Sequence, residues 1–64
     1  MTREQLLKEL RKFARKNGLT FGVDRKLGKG SHYHIRLGKR VTTIKSGELN
    51  PGYVRLIKKQ LGIE

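Results

Sequence analysis

Between His32 and Lys45 the sequence alternates twice between apolar and polar residues, and the two runs are separated by Gly38-Lys39 alone. Tyr33, Ile35 and Leu37 fall on one side of the first run, with His32, His34 and Arg36 on the other, which is the period of a strand buried on one face only. A two-residue connection with glycine first matches a type II′ turn, so the two runs must pair as an antiparallel hairpin. The turn also fixes the register. Leu37 faces Arg40, Ile35 faces Thr42 and Tyr33 faces Ile44 toward the core. Arg36 faces Val41, His34 faces Thr43 and His32 faces Lys45 on the outer side.

A hairpin with one apolar face needs something to cover it, and the flanking sequence supplies two amphipathic helices. Residues 2 to 16 carry Leu6, Leu7, Leu10, Phe13 and Ala14 on one stripe and Lys8, Arg11, Lys12 and Arg15 on the opposite one. Thr2 and Gln5 form a capping box at the start, and Asn17-Gly18 provides a left-handed stop. At the other end Asn50-Pro51 begins a second helix, with Asn as cap and Pro at the first helical position, and Val54, Ile57 and Leu61 recur at helical spacing. Gly62 and Ile63 have the pattern of a Schellman ending. Leu19, Phe21 and Val23 alternate with Thr20, Gly22 and Asp24, giving one more short strand before a basic, glycine-bearing loop from Lys26 to Ser31. That loop lacks the full pattern of a nucleotide-binding P-loop. The order is helix, three strands, helix. With both helices on one face of the sheet, this is an α+β fold whose other face meets water. The predicted core also includes Leu37, Leu49 and Ile63, and counts Leu19 among its members.

The whole chain, residues 1–64, reads as one domain, and at that size only about 60% of the unfolded surface is buried, so an open, shallow functional surface is expected rather than a deep cavity. Sixteen Lys and Arg stand against five Asp and Glu, a formal net charge of +11 spread along the chain, which predicts a polyanionic partner. Nucleic acid fits better than a membrane, because no stretch has the apolar length of a spanning helix. The chain has no cysteine, hence no disulfide-linked partner and no thiolate metal site. No secretory leader is read at the start, so the cytoplasm is the expected compartment.

Chemistry concentrates on the outer side of the hairpin. RNA cleavage without a metal requires a base for the 2′-hydroxyl proton, an acid for the departing 5′-oxygen and cations for the phosphorane charge, and histidine suits both proton-transfer tasks near neutral pH. His32 and His34 are two apart on one strand face, with attachment points roughly 6 to 7 Å apart at strand rise. Lys29, Arg36 and Lys45 are placed to supply positive charge. Ser31 reads as a turn residue or a hydroxyl donor to phosphate. A zinc site is poorer, since His-x-His gives two ligands and the nearest acidic residue, Asp24, stands on another strand of unknown register. No cofactor is expected.

Gly28-Lys29-Gly30-Ser31-His32-Tyr33, the Gly38 hairpin leading into Thr42-Thr43-Ile44, then Gly47-Glu48-Leu49-Asn50-Pro51-Gly52 and Ile57-Lys58-Lys59-Gln60-Leu61-Gly62-Ile63 together resemble the HicA family of toxin–antitoxin systems. The resemblance runs through nearly the whole chain. It implies a double-stranded-RNA-binding-domain-like fold, an mRNA interferase activity and a HicB-like antitoxin that covers the active site. It carries the family's catalytic role to His32, the residue directly after Gly-Ser. Supporting roles for His34, Ser31 and Lys45, and RNA contacts by Lys26, Lys29, Arg36, Lys8, Arg11, Lys12 and Arg15, are read from placement and charge instead. One departure is the stretch from Gly18 to Gly30, which is longer than in shorter family members and has Leu19 where an aromatic usually stands, with Phe21 nearby. The competing expectation is a small basic RNA-binding module without catalysis, which predicts salt-sensitive binding and no cleavage.

Overall fold

The computed structural model describes residues 1–25 and 32–63. Helix α1 (Arg3–Asn17) is followed by strands β1 (Phe21–Asp24), β2 (Tyr33–Leu37) and β3 (Arg40–Ile44), and helix α2 (Pro51–Gln60) closes the domain. The strands form one antiparallel sheet in the order β1-β2-β3. One face of it is packed by both helices. Leu6, Leu10 and Ala14 of α1, Ile57 of α2 and the adjoining Leu61 join Ile35, Leu37 and Ile44 of the sheet in a single buried cluster that also takes in Leu49. The α+β architecture is therefore the expected one.

Local signals in the sequence account for the element ends. The Thr2 hydroxyl accepts from the Gln5 N–H at 3.2 Å and the Gln5 side-chain oxygen accepts from the Thr2 N–H at 2.8 Å, completing the capping box. At the far end of α1, Gly18 is left-handed (φ 64°), and the Gly18 and Leu19 amides donate to the carbonyls of Arg15 and Ala14. Helix α2 starts with the Asn50 side chain accepting from the Tyr53 N–H at 2.8 Å. It ends with the amides of Gly62 and Ile63 bonded to Lys59 and Lys58, the expected Schellman pair. In the hairpin turn Gly38 has φ 62° and Lys39, like every described residue other than glycine, has no positive φ, which is the type II′ combination. The β2–β3 register is as expected at each of the five pairs from Tyr33↔Ile44 to Leu37↔Arg40.

The structure corrects the expected core at Leu19. Its amide is consumed by the ending of α1, β1 begins two residues later, and the side chain is 41% exposed. Pairing with β2 is joined at Thr20, whose carbonyl accepts from the Gly38 N–H at 2.9 Å, so the helix stop displaces Leu19 from the strand. Two polar residues take core positions. Thr42, facing inward opposite Ile35, donates its hydroxyl to Gln60 of α2 at 2.5 Å. Arg3, 7% exposed at the start of α1, stacks its guanidinium 3.4 Å from the centre of the Tyr33 ring and lies 3.8 Å from the Glu4 carboxylate. A desolvated cation on an aromatic face is worth about 2 kcal/mol, enough to offset an unfavourable place at the positive end of a helix.

The first residues are strapped to the connection between β3 and α2. Thr2 bridges Glu48, the Arg3 amide donates to the Gly47 carbonyl, and the Leu49 amide donates to the Met1 carbonyl at 2.7 Å. The Met1 amino group also pairs with the Glu48 carboxylate at 2.7 Å.

Candidate nucleic-acid interface and reactive centre

The helix-free face of the sheet carries two rows of side chains, set by the strand registers. One row runs Gly22–Arg36–Val41 across the three strands, and the other runs Asp24–His34–Thr43. Neighbours in such a row have Cβ atoms about 4.5 to 5.5 Å apart. Arg36, Val41 and Thr43 are exposed and His34 is half-buried. Glycine at position 22 leaves room: a side-chain carbon built there would meet nothing closer than Arg36 Cβ at 4.0 Å. The result is a shallow depression of about 230 Å³ lined by Gly22, Val23, Asp24, His34 and Arg36. An imidazole and a guanidinium therefore share an open hollow with a carboxylate and lie beside a hydroxyl.

His32 is exposed and directly precedes Tyr33, the first residue of β2, placing it at the strand's entry. Two guanidinium groups lie over the Tyr33 ring, Arg3 at 3.4 Å and Arg25 at 5.4 Å from its centre. Arg25 is thus a cation beside the first residue of β2 that sequence reasoning missed, although its place next to the basic loop was a usable signal. Lys26, Lys29 and Ser31 lie outside the described residues.

Lys45 is directed elsewhere. The paired residues end at Tyr33↔Ile44, one step short of the expected His32–Lys45 pair, and the Lys45 ammonium lies 5.0 Å from the centre of the Tyr53 ring of α2. Tyr53 fixes that corner, its hydroxyl accepting from the Lys45 N–H at 3.2 Å and donating to the Thr43 carbonyl at 3.4 Å. The structure brings together His34 and Arg36, with His32 adjacent, and leaves Lys45 on the flank.

The basic stripe of α1 forms a separate surface. Lys8, Arg11, Lys12 and Arg15 are exposed on the side of α1 opposite Leu6, Leu10 and Ala14, which pack on the sheet, so the stripe and the His34–Arg36 face lie on opposite sides of the domain. Arg11 stands nearest to the sheet, 5.7 Å from the centre of the Phe21 ring in edge strand β1. Asp24 is the residue whose place was illegible from sequence. Its register against β2 puts it directly across from His34.

No family model, curated protein or solved structure matches this chain. Among the described residues no three His, Cys, Asp or Glu side chains group so as to hold a metal ion, and no helix is long and apolar enough to cross a membrane.

Proposed function

We propose that this chain is a metal-independent endoribonuclease of the HicA type, acting on mRNA in the cytoplasm and inhibited by a HicB-like antitoxin. The observation that carries the reading is the open sheet face on which His34 and Arg36 share one hollow, with His32 at the entry of the same strand. Such a surface admits a phosphodiester without any deep cavity, and the net charge of +11 draws RNA to it. His32 takes the 2′-hydroxyl proton as that oxygen attacks phosphorus, and Arg36 stabilises the charge that develops on the non-bridging oxygens. The products are a 2′,3′-cyclic phosphate and a 5′-hydroxyl. The α1 stripe of Lys8, Arg11, Lys12 and Arg15 contributes affinity through phosphate contacts away from the reacting linkage.

His32→Ala is expected to lose cleavage by about 10²- to 10⁴-fold while keeping its fold, and cleavage by the parent protein is expected to survive EDTA. Gel analysis of RNA cleavage together with circular dichroism decides it; equal cleavage by the variant removes His32 from the role. The second reading, a binding module, is favoured by the helical basic stripe, which needs no catalysis to be useful. It predicts RNA binding that weakens steeply with salt and no cleavage by the parent. Recovery of an acidic partner that co-purifies with the tagged chain and blocks cleavage tests the antitoxin component.

A further inference from the structure

Asp24 and His34 occupy directly opposite positions on β1 and β2 and line the same hollow, next to Arg36. We infer that His34 is the general acid that protonates the departing 5′-oxygen, and that Asp24 is the positioning residue that orients its imidazole; this rests on the ribonuclease reading above. At the Cβ spacing of about 4.5 to 5.5 Å in a cross-strand pair, one rotamer of each side chain brings a carboxylate oxygen within reach of a ring N–H. A carboxylate that accepts from one ring nitrogen fixes the tautomer and the ring plane, and aims the other nitrogen away from itself, across the open face. On that face stand Arg36 on the same strand and Thr43 on the opposite side of His34 from Asp24.

The separation from His32 fits a division of labour. His32 directly precedes the first residue of β2, and extended backbone continued by that one residue puts its root roughly 6 to 7 Å from that of His34, enough to place one imidazole at the 2′-oxygen and the other at the 5′-oxygen of one phosphodiester. In the balanced step, His32 accepts the 2′-hydroxyl proton while the 2′-oxygen–phosphorus bond forms. The phosphorus–5′-oxygen bond breaks, its electron pair stays on oxygen, and the His34 imidazolium delivers the proton that makes the 5′-hydroxyl. Exchange with water restores both rings. Half-burial suits His34 to this task, because its side chain lines the hollow together with Asp24, Val23 and Arg36 and has less room to swing than an exposed ring.

The test replaces the leaving oxygen. An RNA that the parent protein cleaves is remade with sulfur in place of the bridging 5′-oxygen at the cleaved linkage, and single-turnover rates are compared for the two substrates. A thiolate departs without a proton, so loss of the acid is invisible on the sulfur substrate. His34→Ala is expected to slow the oxygen substrate by about 10²-fold or more and to cleave the sulfur substrate within a small factor of the parent rate. Asp24→Asn is expected to show a smaller loss in the same direction, partly restored in Asp24→Glu. The sulfur substrate also reports folding, since an unfolded variant cleaves neither. If His34→Ala keeps the circular dichroism of the parent and slows both substrates alike, or neither, the acid assignment is overturned while the ribonuclease reading stands. If Asp24→Asn cleaves the oxygen substrate like the parent, the positioning role is overturned. A parent that cleaves neither substrate overturns the ribonuclease reading and this role with it.

Discussion

Gly22 and Gly62 place opposite demands on a side chain. Gly62 has φ 76°, so the backbone favours glycine, and a carbon built on it would lie 2.7 Å from Nε of Arg40, which would have to swing aside. Gly62→Ala is expected to destabilise the fold by more than about 1 kcal/mol, read as a lower midpoint in urea with unchanged slope. Gly22 sits in a strand without a positive φ and faces open space. Gly22→Ala is expected to be neutral or mildly stabilising, because alanine restricts the unfolded chain, whereas Gly22→Val fills the hollow beside Arg36 and weakens RNA binding in a filter or anisotropy assay. Arg3 belongs to the same scale. Charged residues are seldom buried, so nothing in the sequence marks it as the partner that braces Tyr33 one residue from His32.

At the scale of elements, the caps are where local sequence decides most. Thr2→Ala removes the acceptor for the Gln5 amide at the start of α1 and is expected to cost about 1 kcal/mol, which in a domain of this size lowers the melting midpoint by roughly 4 to 8 °C. The same kind of information made the hairpin legible. A two-residue turn leaves no freedom of register, so the inward position of Thr42 and the pairing of His34 with Thr43 follow from Gly38-Lys39 alone. Strand β1 was legible as an element but not in its register, because eight residues, 25 to 32, separate it from β2, too many for the sequence to fix the pairing as a two-residue turn does. Asp24 opposite His34 is for that reason a finding of the structure. Leu19 and Lys45 mark the same limit from another side. Each stands one step beyond where alternation stops governing, Leu19 claimed by a helix ending and Lys45 by the ring of Tyr53.

For the whole molecule, the sheet lies between the cationic stripe of α1 and the face of His34 and Arg36, a division that the net charge alone does not show. Reversing charge on α1 with Lys8→Glu and Lys12→Glu is expected to weaken RNA binding and to flatten its dependence on log salt by roughly 0.7 to 0.9 for each phosphate no longer neutralised. The cleavage rate at saturating RNA is expected to stay unchanged, because those side chains lie across the domain from His34 and Arg36. A fall in that saturated rate equal to the fall in affinity would show that the two surfaces act as one.

The strap that joins Met1, Thr2 and Arg3 to residues 47–49 also bears on when the domain can complete its fold during synthesis. The start of α1 is finished by partners made much later, and its apolar stripe is covered by Ile57 and Leu61 later still. A nascent chain therefore cannot complete the cluster that packs its first helix until α2 has been translated, about 3 to 11 s after the start of α1 at 5 to 20 residues per second. Contacts between elements so far apart in the chain delay folding for the same entropic reason that they slow refolding. The sheet face that would meet RNA therefore rests on a core that is complete only once α2 has been made.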